Sequence, residues 1–148
     1  MTYLEKITYL TGNFIQLCQF SLKNAYRLVC LLKEKEETTV YTDNMMGSYV
    51  AAENKAKVAL KNVVFKGSDY IISDISSRGI PSKLEKDLIY VLKKRDYVVS
   101  SFYIDNADAI ATEEIAVYVS KINELDEYCK KATEVNQALA KQVEKLYR

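Results

Sequence analysis

Apolar side chains recur at three- and four-residue intervals along most of the chain, the spacing of one face of an α-helix. Over residues 2 to about 36 the repeat runs through Leu4, Ile7, Leu10, Phe14, Leu17, Cys18, Ser21, Ala25, Leu28 and Leu32, which predicts one long first helix. Thr2 and Glu5 stand at capping-box spacing, in which a hydroxyl and a carboxylate each accept from the other residue's backbone N–H, and so mark its start. The charged run Lys33-Glu34-Lys35-Glu36-Glu37 and the β-branched Thr38-Thr39-Val40 mark its end.

A second helix is expected after a cap at Asp43 or Asn44, with Met46, Tyr49, Ala52, Ala56, Ala59, Leu60 and Val63 on its inner face. The three alanines permit close approach of a neighbouring helix. The pattern breaks at Phe65-Lys66-Gly67-Ser68-Asp69-Tyr70, where Gly67 is able to close the helix with a left-handed residue. The alternative there is a short hairpin over residues 63–72, with Val63-Val64-Phe65 and Tyr70-Ile71-Ile72 pairing around KGSD. The alanine- and lysine-rich lead-in favours helix.

Residues 76–81 read as a loop ending in the chain's single proline, Pro81. Ser82 and Glu85 form a second capping box, which opens a third helix with Leu84, Leu88, Val91, Val98 and Phe102 on one face. From Tyr97 to Ile104 β-branched and aromatic residues bring strand propensity into competition with the helical period; the period favours helix.

A last helix, capped by Asp105, is expected from Asn106 to about Tyr147. One heptad position holds Ile115, Ile122, Cys129, Asn136 and Val143, and the other holds Tyr118, Leu125, Ala132, Leu139 and Leu146. Fully helical, this segment reaches about 60 Å at about 1.5 Å per residue, longer than the third helix can cover. The remainder must pack on helix 1, on a second chain or on nothing; the second choice makes Ile122, Leu125, Cys129, Asn136, Leu139 and Val143 candidate oligomer-interface residues. Asn136 in particular is the kind of core polar residue that fixes register or oligomer state. These segments predict an all-α fold: an antiparallel four-helix bundle with a long C-terminal helix, in one domain over residues 1–148.

Composition narrows the chemistry. A chain of 148 residues, 49% apolar and 28% charged, buries a core without help from disulfides or metal. The net charge of +1 supplies no global field toward nucleic acid or an anionic membrane, and the arginines are only Arg27, Arg78, Arg95 and Arg148. Cys18, Cys30 and Cys129 lack metal-ligand spacing and read as buried thiols of a reducing compartment. The start MTYLEKITYLTGNF carries an acidic residue where a secretory leader is basic, so a cytoplasmic location is expected. The most apolar run, Leu28 to Leu32, is too short to cross a bilayer, and no membrane insertion is expected.

There is no histidine, which removes Ser-His-Asp and Cys-His catalysis and imidazole metal sites. Gly12, Gly47, Gly67 and Gly79 are isolated, so no phosphate-cradling loop exists. Asp105, Asp108, Glu113 and Glu114 fit the dipole at a helix start, and the 12 tyrosines fit amphipathic packing. No catalytic residue, metal ligand or cofactor is nominated, and a non-enzymatic protein is expected.

Asp87, Lys93, Lys94 and Asp96 fall mostly off the apolar stripe of the third helix, whereas Arg95 shares the face of Leu88, Val91 and Val98. A guanidinium there must pair with a carboxylate, phosphate or carbonyl, or lead its head group to the surface. It is either a structural tie or, with Lys93 and Lys94, a candidate nucleic-acid contact. The order Tyr49-Val50-Ala51-Ala52-Glu53, then RGIPSKLEKDLIYVLKKRDY, then TEEIAVYVSKINELDEY resembles the HEPN superfamily of four-helix proteins from toxin-antitoxin and other prokaryotic conflict systems, over roughly Tyr49 to Tyr128. The resemblance implies a dimerising bundle and, in active members, metal-independent ribonuclease activity from an arginine, a polar residue and a histidine about one turn later. Arg95 and Asp96 match the first two positions. Ser100 or Ser101 stands in place of the histidine, which implies a member without nuclease activity that keeps dimerisation, RNA binding or partner binding.

The expected function is that of a helical interaction protein, a homodimer or small subunit of a larger assembly, whose partner is another protein or a second copy. The alternative is a HEPN-like, catalytically inactive RNA-binding or toxin-antitoxin component using Lys93, Lys94 and Arg95.

Overall fold

A computed structural model describes residues 1–37, 45–63, 66–76 and 79–147, all-helical wherever regular structure is present. The helices are α1 (Tyr3–Glu37), α2 (Met45–Val63), α3 (Ser68–Ile75), α4 (Ser82–Ser100), α5 (Phe102–Asp105), α6 (Ala107–Ala111) and α7 (Ile115–Leu146). The caps expected at Asp43 or Asn44, the stop at 38–40, the side chain of Met46 and the Val64-Phe65 arm of the hairpin alternative lie outside the described residues. The other arm, Tyr70-Ile71-Ile72, is helical within α3.

The amphipathic repeat of α1 folds as its spacing demands from Ile7 onward, while Leu4, expected on the same face, is 45% exposed. Ile7, Phe14, Cys18, Leu22, Ala25 and Leu28 are buried along one face. The predicted box at its start is made: the Glu5 N–H donates to Thr2 Oγ1 at 3.1 Å and the Thr2 N–H donates to Glu5 Oε2 at 2.7 Å. The box expected at Ser82 and Glu85 is not. Pro81 takes the cap position of α4 without a side-chain bond, because its ring carries no acceptor for a first-turn N–H, and Ser82 is already inside the helix, one residue past the position from which it would cap.

Helix α7 packs along α1, and the two run in the same direction. Tyr3 stacks on Tyr118 with ring centroids 5.8 Å apart, Phe14 meets Tyr128 at 5.5 Å, and Asn24 bonds Asn136. In a simple up-and-down bundle of four the first and last helices run oppositely. The added reversal here is α3, which the sequence reading missed. Helix α2 returns along α1 from its C-terminal end, α3 turns back, and α4 descends against α7 through Asp87–Lys131 at 3.1 Å and Tyr90–Tyr128 at 6.5 Å. Ser68, Ile71 and Ile75, at three- and four-residue spacing, are the buried residues of α3. Gly67 precedes it at φ −68° and ψ 165°, an extended conformation rather than the left-handed one expected. Gly79 adopts the positive φ, 90°.

The segment from Tyr97 is helical, as the period favours, but in pieces. Ser101 leaves helical geometry at φ −132°, α5 and α6 follow as single turns, and Glu113 takes a left-handed φ of 55° before α7. Asp105 closes α5 and does not cap the last helix, which starts at Ile115. Backbone carbonyls at these breaks take a side-chain donor besides a backbone N–H: Asn106 Nδ2 donates to the Phe102 carbonyl at 2.7 Å, and the Tyr118 hydroxyl donates to the Ile110 carbonyl at 2.8 Å. The 32 residues of α7 span about 48 Å at about 1.5 Å per residue, not 60 Å. Among the described residues, no helix is long and apolar enough to cross a membrane.

Candidate functional site

Arg95 sits where the period of α4 places it, buried between core layers at 8% exposure. Its Nη2 donates to the Lys66 carbonyl at 2.7 Å and approaches Asp96 Oδ1 at 3.3 Å. Asp96 Oδ2 in turn accepts the Ser68 N–H at 2.9 Å, satisfying one free donor at the start of α3. Burial alone would raise the Asp96 carboxyl, but bonds from Ser68 and Arg95 outweigh it and hold the group below its usual range. This pair fastens the turn between α2 and α3 to α4. It forms one wall of a cleft of about 520 Å³, shared with Ile15, Gln19, Val99 and Ser100.

Lys93 and Lys94 do not join it. Successive residues on a helix project about 100° apart, and the chain shows the consequence. Lys93 is exposed, while Lys94 Nζ lies over the rings of Tyr90 at 5.5 Å and Tyr128 at 5.3 Å, on the α7 side. The three basic residues face three directions.

The heptad seam of α7 is used inside the chain. Ile122, Leu125, Cys129, Leu139 and Val143 are all buried in the single-chain core, and side chains already removed from water have no apolar surface left for a second chain. Within the one chain described, α1 and α4 cover these residues. Asn136, at half-buried depth, accepts from Asn24 Nδ2 at 2.7 Å. It begins a polar chain across three helices: Asn24 Oδ1 accepts from Arg27 Nη1 at 3.0 Å, Arg27 Nε reaches both Glu53 oxygens at 2.9 and 3.0 Å, and the Tyr147 hydroxyl donates to Glu53. Asn136 thus sets register, but between α7 and α1 of one chain.

Cys18 and Cys129 are structural thiols. Burial pushes Cys18 up to about 12, beyond what nearby Arg95 lowers it, and burial also raises Cys129; a thiol that stays protonated is a poor nucleophile. Among the described residues, no three His, Cys, Asp or Glu side chains stand close enough together to hold a metal ion.

One surface escaped the sequence reading. From Ile7 to Leu22 α1 carries no charged residue, although Thr8, Tyr9, Gly12, Gln16, Gln19 and Phe20 are exposed there. Tyr9 is 61% and Phe20 46% exposed. The outer face of α7, by contrast, is charged from Glu127 on, presenting Glu127, Lys130, Glu134, Lys141 and Glu144, although its first turns expose Ile115 and Val119. At 100° per residue Tyr9, Gln16, Phe20, Arg27 and Glu34 form one stripe. Its far half is covered by α2, through Arg27–Glu53 and Glu34–Lys55. Its near half is uncovered. The signal was a charge gap of more than four turns, which reads as core until the structure shows how many sides of α1 the chain leaves bare.

Comparison with protein-family models, with curated proteins and with solved structures finds no match to this chain. The likeness to the HEPN superfamily rests on the quoted motifs alone.

Proposed function

We propose that this chain is a non-enzymatic helical interaction protein, working as a homodimer or as a small subunit of a larger assembly. The observation that supports it is the uncharged outer face of α1. Single exposed apolar residues are ordinary, but surfaces that become the centre of an interface are depleted in Lys, Glu and Asp and enriched in aromatic residues. Thr8 to Phe20 has that character, while the edges beside it are polar: Asp126, Lys130 and Glu134 of α7 share a groove with Tyr9 and Asn13. A HEPN-like RNA-binding role is not put forward, because it needs Lys93, Lys94 and Arg95 on one surface.

The test is site-specific photo-crosslinking in the producing cells, with a photoreactive residue at Gln16 on the uncharged face and, as control, at Lys141 on the charged face of α7. A discrete adduct from Gln16 and none from Lys141 is expected. Absence of adducts from both positions would remove the reading.

A further inference from the structure

Resting on that reading, we infer that the occupant of the bare half of α1 is α1 of a second copy, crossing antiparallel about a two-fold axis between Gly12 and Gln16. Three observations point there.

The first is charge. The uncharged stretch is bounded on its own stripe by Glu5 at one end and Lys23 at the other, both exposed. The positions Glu5, Tyr9, Gly12, Gln16, Gln19 and Lys23 follow the alternating four-three spacing of a helix-pairing seam. Turned antiparallel on itself, the stripe brings Glu5 opposite the partner's Lys23, and Lys23 opposite the partner's Glu5. A parallel pairing would set each charge against its own kind. Between these ends nothing charged must leave water, so the face is compatible with itself, as a two-fold interface requires.

The second is space. Gly12 lies at the middle of the stripe, and a Cβ added there would meet nothing within 4 Å. The fold of one chain therefore does not need a glycine at this position, and helix propensity disfavours it. Opposite the partner's Gln16, the missing side chain lets the two backbones approach, with Tyr9 and Phe20 of each copy flanking the crossing.

The third is length. The bare stretch from Glu5 to Lys23 measures about 27 Å at about 1.5 Å per residue. Beyond Lys23 the stripe passes under α2 at Arg27. An antiparallel second helix places its own first turn at that point, since α1 begins at Tyr3, and so ends where the cover begins.

Sedimentation velocity of the purified chain across a concentration series gives the mass. The expected species is twice the 16.9 kDa of one chain. Gly12→Glu, which the single-chain fold accommodates, sets two carboxylates near one another at the axis and is expected to yield folded monomer, its helicity unchanged by circular dichroism. Lys23→Glu turns two attractive end contacts repulsive and is expected to weaken the dimer by roughly tenfold; Glu5→Lys does the same but also removes the carboxylate that accepts the Thr2 N–H, so its helicity is checked by circular dichroism, and the double variant restores the dimer. A wild-type monomer throughout the series would overturn the inference, as would a Gly12→Glu dimer or failure of the double variant to recover. A monomer that still gives a Gln16 adduct to a different protein overturns self-pairing and leaves the interaction reading standing; a monomer with no adduct removes both.

Discussion

Replacing Arg95 with methionine tests whether the guanidinium is a structural tie. Methionine keeps much of the apolar stem and fits the space beside Leu88, Val91 and Val98, so packing loss is small. What disappears is the 2.7 Å bond to the Lys66 carbonyl and the 3.3 Å contact to Asp96. A hydrogen bond from a charged donor contributes about 1.5 to 3 kcal/mol. The Asp96 contact adds little, because that side chain is 39% exposed and water screens it. The expected loss is therefore about 2 to 3 kcal/mol by urea denaturation followed by circular dichroism. At about 2 to 4 °C per kcal/mol for a chain of this size, that is a drop of about 4 to 12 °C in Tm. Lys93→Met, on the exposed side of the same helix, should stay within about 0.5 kcal/mol of wild type. If Arg95→Met loses less than about 0.5 kcal/mol while the protein stays fully helical, the tie is not structural and the argument from burial fails.

Asn136→Leu should not stabilise the chain: the apolar gain of about 1 to 2 kcal/mol is offset by stranding Asn24 Nδ2, which costs about 1 to 3 kcal/mol. A rise of 2 kcal/mol in urea denaturation would show that the Asn24 bond carries nothing. Gly12→Ala should raise monomer stability by about 0.5 to 1 kcal/mol in denaturation at low concentration, whereas Gly79→Ala should lower it, since its φ of 90° strains any Cβ; the opposite signs are the check. The carboxyls of Asp96, Glu53 and Glu124 are all held below their ordinary values of 3.8, 4.5 and 4.5. A depressed folded value gives stability that is present above the unfolded value and lost as pH falls through the folded one. The urea midpoint should hold from neutral pH down to about 4.5 and fall below it, and Asp96→Asn should flatten that fall; an Asp96→Asn profile parallel to wild type would show that its bonds to Ser68 and Arg95 do not matter.

Much was legible in the chain because it is local. Apolar spacing in Tyr3–Glu37 and Ile115–Leu146 states which face is buried except in the first turns, where Leu4 and Ile115 are exposed, and the Thr2–Glu5 box closes within one turn. The lack of histidine excludes a class of chemistry without any coordinates. The burial of Arg95 also followed from its phase on α4, since position on a helix fixes direction. Partners at long range were not legible. The acceptor for Arg95 is a backbone carbonyl 29 positions away, and carbonyls are the same in every residue. The seam of α7 announced that it needed a neighbour, but hydrophobic burial is non-directional and an apolar stripe does not say whether its cover belongs to the same chain. That was decided by the packing of α7 along α1, in the same direction as α1 because of the extra reversal at α3. The same packing leaves half of one stripe on α1 bare, and a charge gap becomes a surface only once its neighbours have taken the other sides.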